Sequence, residues 1–102
     1  MKDLKNKTAI VTGGSKGIGK GIVEKLAKSG CNVAFTYLSS EESAIEIEKL
    51  SEKHNVKIKK YKSDASDFNQ SSKLIEDILD DFDSYDILIN NVIEFQRTHG
   101  LD

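Results

Sequence analysis

The sequence predicts an α/β domain built on a parallel β-sheet. Short β-branched runs alternate with longer segments that carry apolar residues at helical spacing, and a glycine-rich turn follows the first run. The 102 residues are 37% hydrophobic and 31% charged, which is typical of one small globular domain or a piece of a larger one.

The first strand is predicted at Thr8–Thr12, a β-branched run that stops at glycine, as expected for a strand buried on both faces. A helix should follow from residue 17 to about Ser29, because Gly30 supplies the left-handed residue that commonly ends a helix. The apolar positions that predict this helix are Ile18, Ile22, Val23, Leu26 and Ala27.

The second strand is predicted at Asn32–Tyr37. Ser39 and Glu42 have the spacing of a capping box, which predicts a helix that ends near residues 54 and 55. Residues 56–61 then alternate apolar and basic side chains, a pattern that favours a strand at the edge of a sheet.

A third helix is predicted after Asp67, which has Gln70 three residues later and can cap the helix. The fourth strand is predicted at residues 86–91. Strict alternation of strands and helices favours right-handed crossovers and the strand order 3-2-1-4, a Rossmann-type three-layer half domain with helices on both faces. The third helix should bury the side chains of Leu74, Ile75, Ile78, Leu79 and Phe82.

The stretch TGGSKGIG, residues 12–19, is the most informative part of the chain. Gly13 permits a tight turn after the strand, Gly17 lets the helix N-terminus approach a phosphate, and Gly19 lets the helix pack close to the sheet. A glycine turn alone is a weak signal, but one between a predicted strand and a predicted helix favours a dinucleotide site.

This TGxxxGxG turn, together with Asn90 and Asn91 at the end of the fourth strand, resembles the short-chain dehydrogenase/reductase family. The segments NVAFTYLSS (residues 32–40) and SDASDF (residues 63–68) are similar to bacterial 3-oxoacyl-[acyl-carrier-protein] reductases. Those enzymes reduce β-ketoacyl thioesters with NADPH in fatty-acid synthesis. The resemblance extends over residues 3–91.

The resemblance implies NADP(H) as the cofactor. Asp64 and Ala65 would flank the adenine, and Asn90 would touch the ribose. The residues implied around the diphosphate and the adenosine ribose are Gly13, Ser15, Lys16, Gly17, Ile18 and Gly19.

NADP is favoured over NAD because no acidic residue stands at the end of the second strand. Tyr37 and Leu38 occupy the place where NAD-binding members keep Asp or Glu for the ribose 2′-hydroxyl. Lys16, beside Ser39 and Ser40, would hold a 2′-phosphate. A solvated role for Lys16, and a cap or turn role for Asp64, remain open alternatives.

The family's catalytic motif, a serine followed by Tyr-x-x-x-Lys, is absent from this sequence. We therefore assign no catalytic residue, expect this chain alone to be inactive, and expect an acyl-carrier-protein partner only together with the missing half. The residues four positions after Tyr37, Tyr61 and Tyr85 are Glu41, Ala65 and Ile89.

The end of the chain departs from the family pattern Asn-Asn-Ala-Gly. Val92 and Ile93 follow Asn91, and Ile93 would crowd the backbone beside a nicotinamide ribose. We predict an NADP-binding half domain at residues 1–91 and a non-family tail at 92–102; a frameshift, vector-derived residues or a divergent end would each explain the tail.

Composition excludes several other classes. The net charge of −2, with acids and bases mixed along the chain, disfavours nucleic acid and anionic membranes as partners. No apolar run approaches the ~20 residues of a membrane span, and no secretory signal is recognisable at the N-terminus, so a cytoplasmic location is expected.

Titratable groups outside the turn suggest no further chemistry. Cys31 is expected to be a buried side chain, and His54 and His99 lack the spacing of metal ligands, so no metal site is predicted. The acidic residues near the end of the third helix are expected to face water: Asp80, Asp81 and Asp83.

Two alternatives to a reductase fragment are considered. A non-catalytic nucleotide-binding or association module, or an inactive fragment, is suggested by the run DILINN at residues 86–91, whose uncovered strand edge would favour self-association. Another Rossmann enzyme such as a methyltransferase is disfavoured by the glycine spacing and by Asn90 and Asn91.

Overall fold

The computed structural model describes residues 4–14, 17–63 and 68–90, with the backbone alone at 68–71. Strands alternate with helical segments along this part of the chain, as the sequence predicts, and one of these segments contains two helices. The strands are β1 (Thr8–Thr12), β2 (Asn32–Tyr37), β3 (Ile58–Lys62) and β4 (Ile87–Asn90). The helices are α1 (Gly17–Lys28), α2 (Glu41–Glu48), α3 (Leu50–His54) and α4 (Phe68–Phe82).

The four strands form one parallel sheet in the order β3-β2-β1-β4. In the register, Ala9 of β1 lies between Val33 of β2 and Ile87 of β4. This order confirms the predicted fold class, and it makes β1 and β2 the inner strands. Their β-branched and apolar side chains are buried on both faces, as predicted for β1.

One face of the sheet is covered by α1, α2 and α3. Alternate residues of the inner strands point to this face, and they pack against the apolar stripe of α1 and the inner side of α2. This larger cluster includes the fully buried residues Ala9, Val11, Val33, Phe35, Val23, Ala27 and Ala44.

The opposite face is covered by α4, whose Leu74 and Ile78 pack against Ile10 and Ala34. Ile75 and Phe82 lie at the margin of this cluster, as the helical pattern predicts. The prediction that Leu79 is buried was wrong, because 38% of this residue is exposed to solvent. Periodicity identifies the apolar side of α4, but not how far the sheet beneath it extends.

The segment between β2 and β3 differs from the prediction in two ways. It forms α2 and α3 rather than one helix, with a break at Lys49, whose amide is shared between the carbonyls of Ile45 and Glu46. The capping box was also wrong: the N-cap is Ser40, with no side-chain capping hydrogen bond. The helix begins one residue late for Glu42 to occupy the third helical position that such a box needs.

Strand β3 lies at the edge of the sheet, as its lysines predict. The Lys60 amide donates to Glu48 Oε2 of α2 at 2.9 Å, so a side chain occupies a backbone donor of the edge strand. Lys59 Nζ lies 3.0 Å from Asp81 Oδ2, which joins this strand to the last turn of α4.

Asp81 is partly exposed to solvent, as the sequence predicts, but it also makes specific contacts that the sequence did not predict. The Tyr61 hydroxyl donates to its Oδ2 at 2.6 Å, and this bond and Lys59 lower the pKa of Asp81. Burial and the bond to the carboxylate raise the pKa of Tyr61. Asp80 and Asp83 are exposed, as expected.

Cys31 is fully buried, as predicted, and burial, assisted by the charge of Asp86, raises its pKa to about 11. His54 is the last residue of α3. Within residues 4–14, 17–63 and 68–90, no helix has the length and apolar character needed to cross a membrane.

Candidate functional site

The carboxyl ends of all four strands meet at one edge of the sheet, because the strands are parallel. Thr12, the last residue of β1, is in register with Asn90, the last residue of β4. Tyr37, which ends β2, is in register with Lys62 of β3. The glycine turn connects β1 to α1 at this edge, the usual position of ligands in open α/β sheets.

The turn owes its shape to glycines in the left-handed region of backbone conformation. Gly13 has a φ of 70° directly after β1, and Gly17 has a φ of 52° where α1 begins. A side chain would be strained at both positions. A Cβ on Gly17 would meet no atom of the described residues within 4 Å, so these residues leave space beside it.

Gly14 is a residue of the turn that sequence reasoning missed. It is buried, and a Cβ at this position would lie 2.7 Å from Phe35 Cβ and 3.0 Å from Val23 Cγ2. Close packing against the sheet was assigned to Gly19, which is also buried, but Gly14 lies directly against β2. A second glycine immediately after the turn glycine is the signal that could have identified it.

Thr36 is a second residue that sequence reasoning missed. Its hydroxyl Oγ1 accepts a hydrogen bond from the Gly13 amide at 2.9 Å, and its carbonyl accepts one from the Gly14 amide at 2.9 Å. These first amides of the turn are therefore bonded within the protein. Any anion at this edge would meet the amides of the first helical turn, which lack partners within the helix.

The predicted site residues at the start of α1 and the end of β2 lie on the protein surface. Ile18 is 69% exposed and Leu38 is 59% exposed, although both side chains are large and apolar. Ser39 is exposed beside Leu38, whereas Tyr37 is buried. Exposed apolar residues at the start of α1 and directly after β2 offer contact area to a flat, partly apolar ligand.

Asn90 is held at the start of the turn by Thr12. The Thr12 hydroxyl Oγ1 lies 3.0 Å from Asn90 Oδ1 and 3.4 Å from the carbonyl oxygen of Ile89. Because a hydroxyl can donate to Oδ1, this contact favours one orientation of the carboxamide of Asn90.

The structure thus brings seven of the predicted site residues to one edge of the sheet: Gly13, Gly17, Ile18, Gly19, Leu38, Ser39 and Asn90. The other four predicted residues, Ser15, Lys16, Asp64 and Ala65, lie outside the described residues. Among the residues that the structure describes, no group of three His, Cys, Asp or Glu side chains could hold a metal ion.

Comparison with known protein families matches residues 7–98 to the short chain dehydrogenase family. The match continues beyond Asn91, and the predicted division of the chain at that residue stays a prediction.

The curated relatives described next are also named as a dehydrogenase and a reductase. L-rhamnose 1-dehydrogenase (NADP(+)) from Thermoplasma acidophilum is 40% identical over 91 residues, a stretch that covers 89% of this chain and 36% of the relative. A sorbose reductase from Candida albicans is 44% identical over 88 residues, which cover 86% of this chain and 31% of the relative. The chain thus spans about a third of the length of these relatives.

A solved structure matches the fold closely. The short chain dehydrogenase from Burkholderia cenocepacia, determined in complex with NADP, superposes with a TM-score of 0.83 at 35% identity. The superposition covers 86% of this chain and 36% of that one. The glycine turn, the strand order and these matches agree, and the chain belongs to the short-chain dehydrogenase family.

Proposed function

We propose that this chain forms the NADP(H)-binding part of a short-chain dehydrogenase or reductase. The observation that carries the proposal is the position of Gly13, Gly14 and Gly17 at the carboxyl edge of the sheet, with exposed Leu38 and Ser39 at the end of the neighbouring strand. A dinucleotide could lie across this edge, with its diphosphate at the start of α1.

The residues of the turn fit a diphosphate. The backbone at Gly17 is open to solvent, with no described atom within 4 Å of the position that a Cβ would take. The amides of Gly17, Ile18 and Gly19 belong to the first turn of α1, where the helix dipole favours an anion. We propose Ser15 and Lys16, which precede this turn, as further ligands of the phosphates.

The end of β2 supports NADP over NAD. An NAD-specific site needs a carboxylate there to accept hydrogen bonds from the ribose 2′-hydroxyl, and Tyr37 and Leu38 supply none. Ser39 has an exposed hydroxyl that can donate to a 2′-phosphate, and Lys16 would add a positive charge. A relative named for NADP(+) and a neighbour solved with NADP are consistent with this preference.

The remaining cofactor contacts are proposed from the family resemblance. Asp64 and Ala65 would flank the adenine, and Asn90, whose carboxamide is oriented by Thr12, would contact a ribose. When NADPH is bound, it supplies a hydride for the reduction of a carbonyl. None of the three tyrosines of this chain is followed by lysine four residues later, so we propose that proton donation belongs to residues outside it.

The substrate is proposed only at the level of a carbonyl compound or its alcohol. The segments at residues 32–40 and 63–68 support a 3-oxoacyl thioester carried by acyl-carrier protein, as in fatty-acid synthesis. Two relatives are instead named for rhamnose and sorbose. Purification of a longer protein that contains this segment, followed by assays with both substrate classes, would decide between them.

Replacement of Leu38 by Asp tests the cofactor preference. We expect the wild-type chain to bind NADPH more tightly than NADH in isothermal titration calorimetry. Leu38→Asp should weaken NADPH binding by about tenfold, because the carboxylate repels a 2′-phosphate, and should strengthen NADH binding. Because Leu38 is exposed, the replacement should leave the fold intact.

Leu38→Asn is the matched control, since it introduces a side chain of the same size as Asp without the charge. It should change the ratio of the two affinities much less than Leu38→Asp does. A folded wild-type chain that gives no heat with either nucleotide would contradict the binding proposal. Equal effects of Asp and Asn would contradict the assigned role of position 38.

A second candidate function, self-association, is favoured by the outer edge of β4. Leu88 is in register with Ile10, yet it is 56% exposed, whereas Ile10 is fully buried. Ile87 and Ile89 on the opposite face are only partly buried. An apolar edge strand with unpaired backbone groups is a template for pairing with another chain.

Leu88→Lys tests this candidate, because a lysine on an edge strand opposes pairing. Light scattering of the wild-type chain should show a molar mass that rises with concentration, and Leu88→Lys should hold the mass at that of a monomer. Ile45→Lys, at a residue of α2 that is 39% exposed, is the control and should behave as the wild type. A wild-type chain that stays monomeric throughout would exclude association by β4.

A further inference from the structure

We infer that Thr36 is a positioning residue for the nucleotide site. By accepting hydrogen bonds from the glycine turn, Thr36 fixes the position of the turn relative to the carboxyl end of the sheet. This inference rests on the proposed function. Thr36 belongs to β2 and is only 2% exposed, so it is not expected to touch a ligand at the surface. Its effect would be exerted through the turn.

The register of the sheet explains why a hydroxyl is needed there. The pairing of β1 with β2 runs from Thr8 and Asn32 to Val11 and Phe35. Regular pairing with β2 stops at that point, and the Thr36 side chain reaches the first residue of the turn. Its Oγ1 accepts the Gly13 amide, 23 residues away in sequence, and so replaces a missing ladder acceptor.

The carbonyl of the same residue holds the next amide. Gly14 donates to the Thr36 carbonyl oxygen at 2.9 Å, so one residue anchors two successive amides of the turn. Gly14 cannot move closer to β2, because it already packs so closely against Phe35 that there is no room for a Cβ between them. The two hydrogen bonds and this contact together fix where the chain leaves the sheet, and hence where α1 begins.

The hydroxyl is the part of Thr36 that can be removed cleanly. Valine has nearly the shape of threonine but accepts no hydrogen bond, so Thr36→Val leaves the Gly13 amide without its side-chain acceptor. Serine keeps the hydroxyl and loses only a methyl group. The two replacements therefore separate the hydrogen bond from the packing of the side chain.

The test compares these variants for binding and for amide exchange. Thr36→Val should weaken NADPH binding by about fivefold to tenfold, because the amides at the start of α1 are then less well pre-organised for the diphosphate, whereas Thr36→Ser should bind within about twofold of the wild type. Hydrogen exchange followed by NMR should show a protected Gly13 amide in the wild type and in Thr36→Ser. Protection should be lost in Thr36→Val.

A nucleotide without a diphosphate distinguishes positioning from general damage to the fold. 2′-AMP should lose less affinity than NADPH in Thr36→Val, because it lacks the diphosphate and keeps only the contacts proposed for Lys16 and Ser39 at the 2′-phosphate. Weakened binding of 2′-AMP and NADPH to the same extent would assign Thr36 a merely structural role and overturn the inference.

The remaining outcomes are equally decisive. A Thr36→Val chain that binds NADPH like the wild type would overturn this inference alone. Failure of the folded wild type to bind NADPH would remove the proposed function and the inference with it. If Thr36→Val does not fold, hydrogen exchange of the Gly13 amide in the wild type tests the inference instead. An unprotected Gly13 amide would exclude the hydrogen bond to Thr36 and overturn the inference.

Discussion

Gly14→Ala is expected to lower the free energy of unfolding by about 3 kcal/mol, as overpacking of a buried site does. The added Cβ would lie 2.7 Å from Phe35 Cβ, closer than two such atoms can approach. Both atoms are attached directly to the backbone, so neither can rotate away. Either β2 or the glycine turn must shift, and urea unfolding followed by circular dichroism would measure the cost.

Gly21→Ala is the matched control for this experiment. Gly21 is an exposed residue within α1, and a Cβ there would meet no atom within 4 Å in the part of the chain that the structure describes. Alanine loses less backbone entropy than glycine on entering a helix, so this variant should be more stable by about 0.5–1 kcal/mol. Opposite signs for the two variants are the expected result, and destabilisation by Gly21→Ala of the same size would refute the steric explanation.

Ile78→Ala should destabilise the domain by a similar amount, about 3 kcal/mol. Ile78 of α4 is fully buried against the sheet. Among the described residues, the other buried members of its cluster are Ile10, Ala34 and Leu74. A cavity in so small a cluster cannot be filled by neighbouring side chains. We expect α4 to lose protection from hydrogen exchange before the inner strands do.

Leu79→Ala, at the next residue of the same helix, provides the comparison. Leu79 is 38% exposed, and alanine has the highest helix propensity, so the cost should remain below about 1 kcal/mol. Both free energies come from the same urea titrations. If the two variants were equally destabilised, the packing described for α4 would be wrong.

The fold was predictable because its strands have a simple pattern. Thr8–Thr12 and Asn32–Tyr37 are β-branched or apolar runs bounded by polar residues or glycine, and both have the bounds that the sequence predicts. What was missed depends on contacts between distant segments. The link from Tyr61 to Asp81 joins an edge strand to a helix end, and no periodicity within either segment reveals it.

The site was predictable to the extent that its residues follow the ends of strands. Gly13 and Leu38 directly follow β1 and β2, and Asn90 ends β4, so a parallel sheet must bring the three residues to one edge. Thr36 was overlooked because a threonine inside a β-branched run has the same appearance in sequence whether its hydroxyl is used or not. Gly14 was overlooked because the close approach of Phe35 is set by the register of β2.

The two edge strands of the sheet, β3 and β4, differ in how readily a further strand could pair with them. At β3, the Glu48 side chain already occupies the Lys60 amide, and the lysines of the strand would oppose a further cationic strand. At β4, the exposed Leu88 instead offers an apolar surface. Any additional strand, from the same polypeptide or another, would therefore join beside β4, and the sheet would widen from one side only.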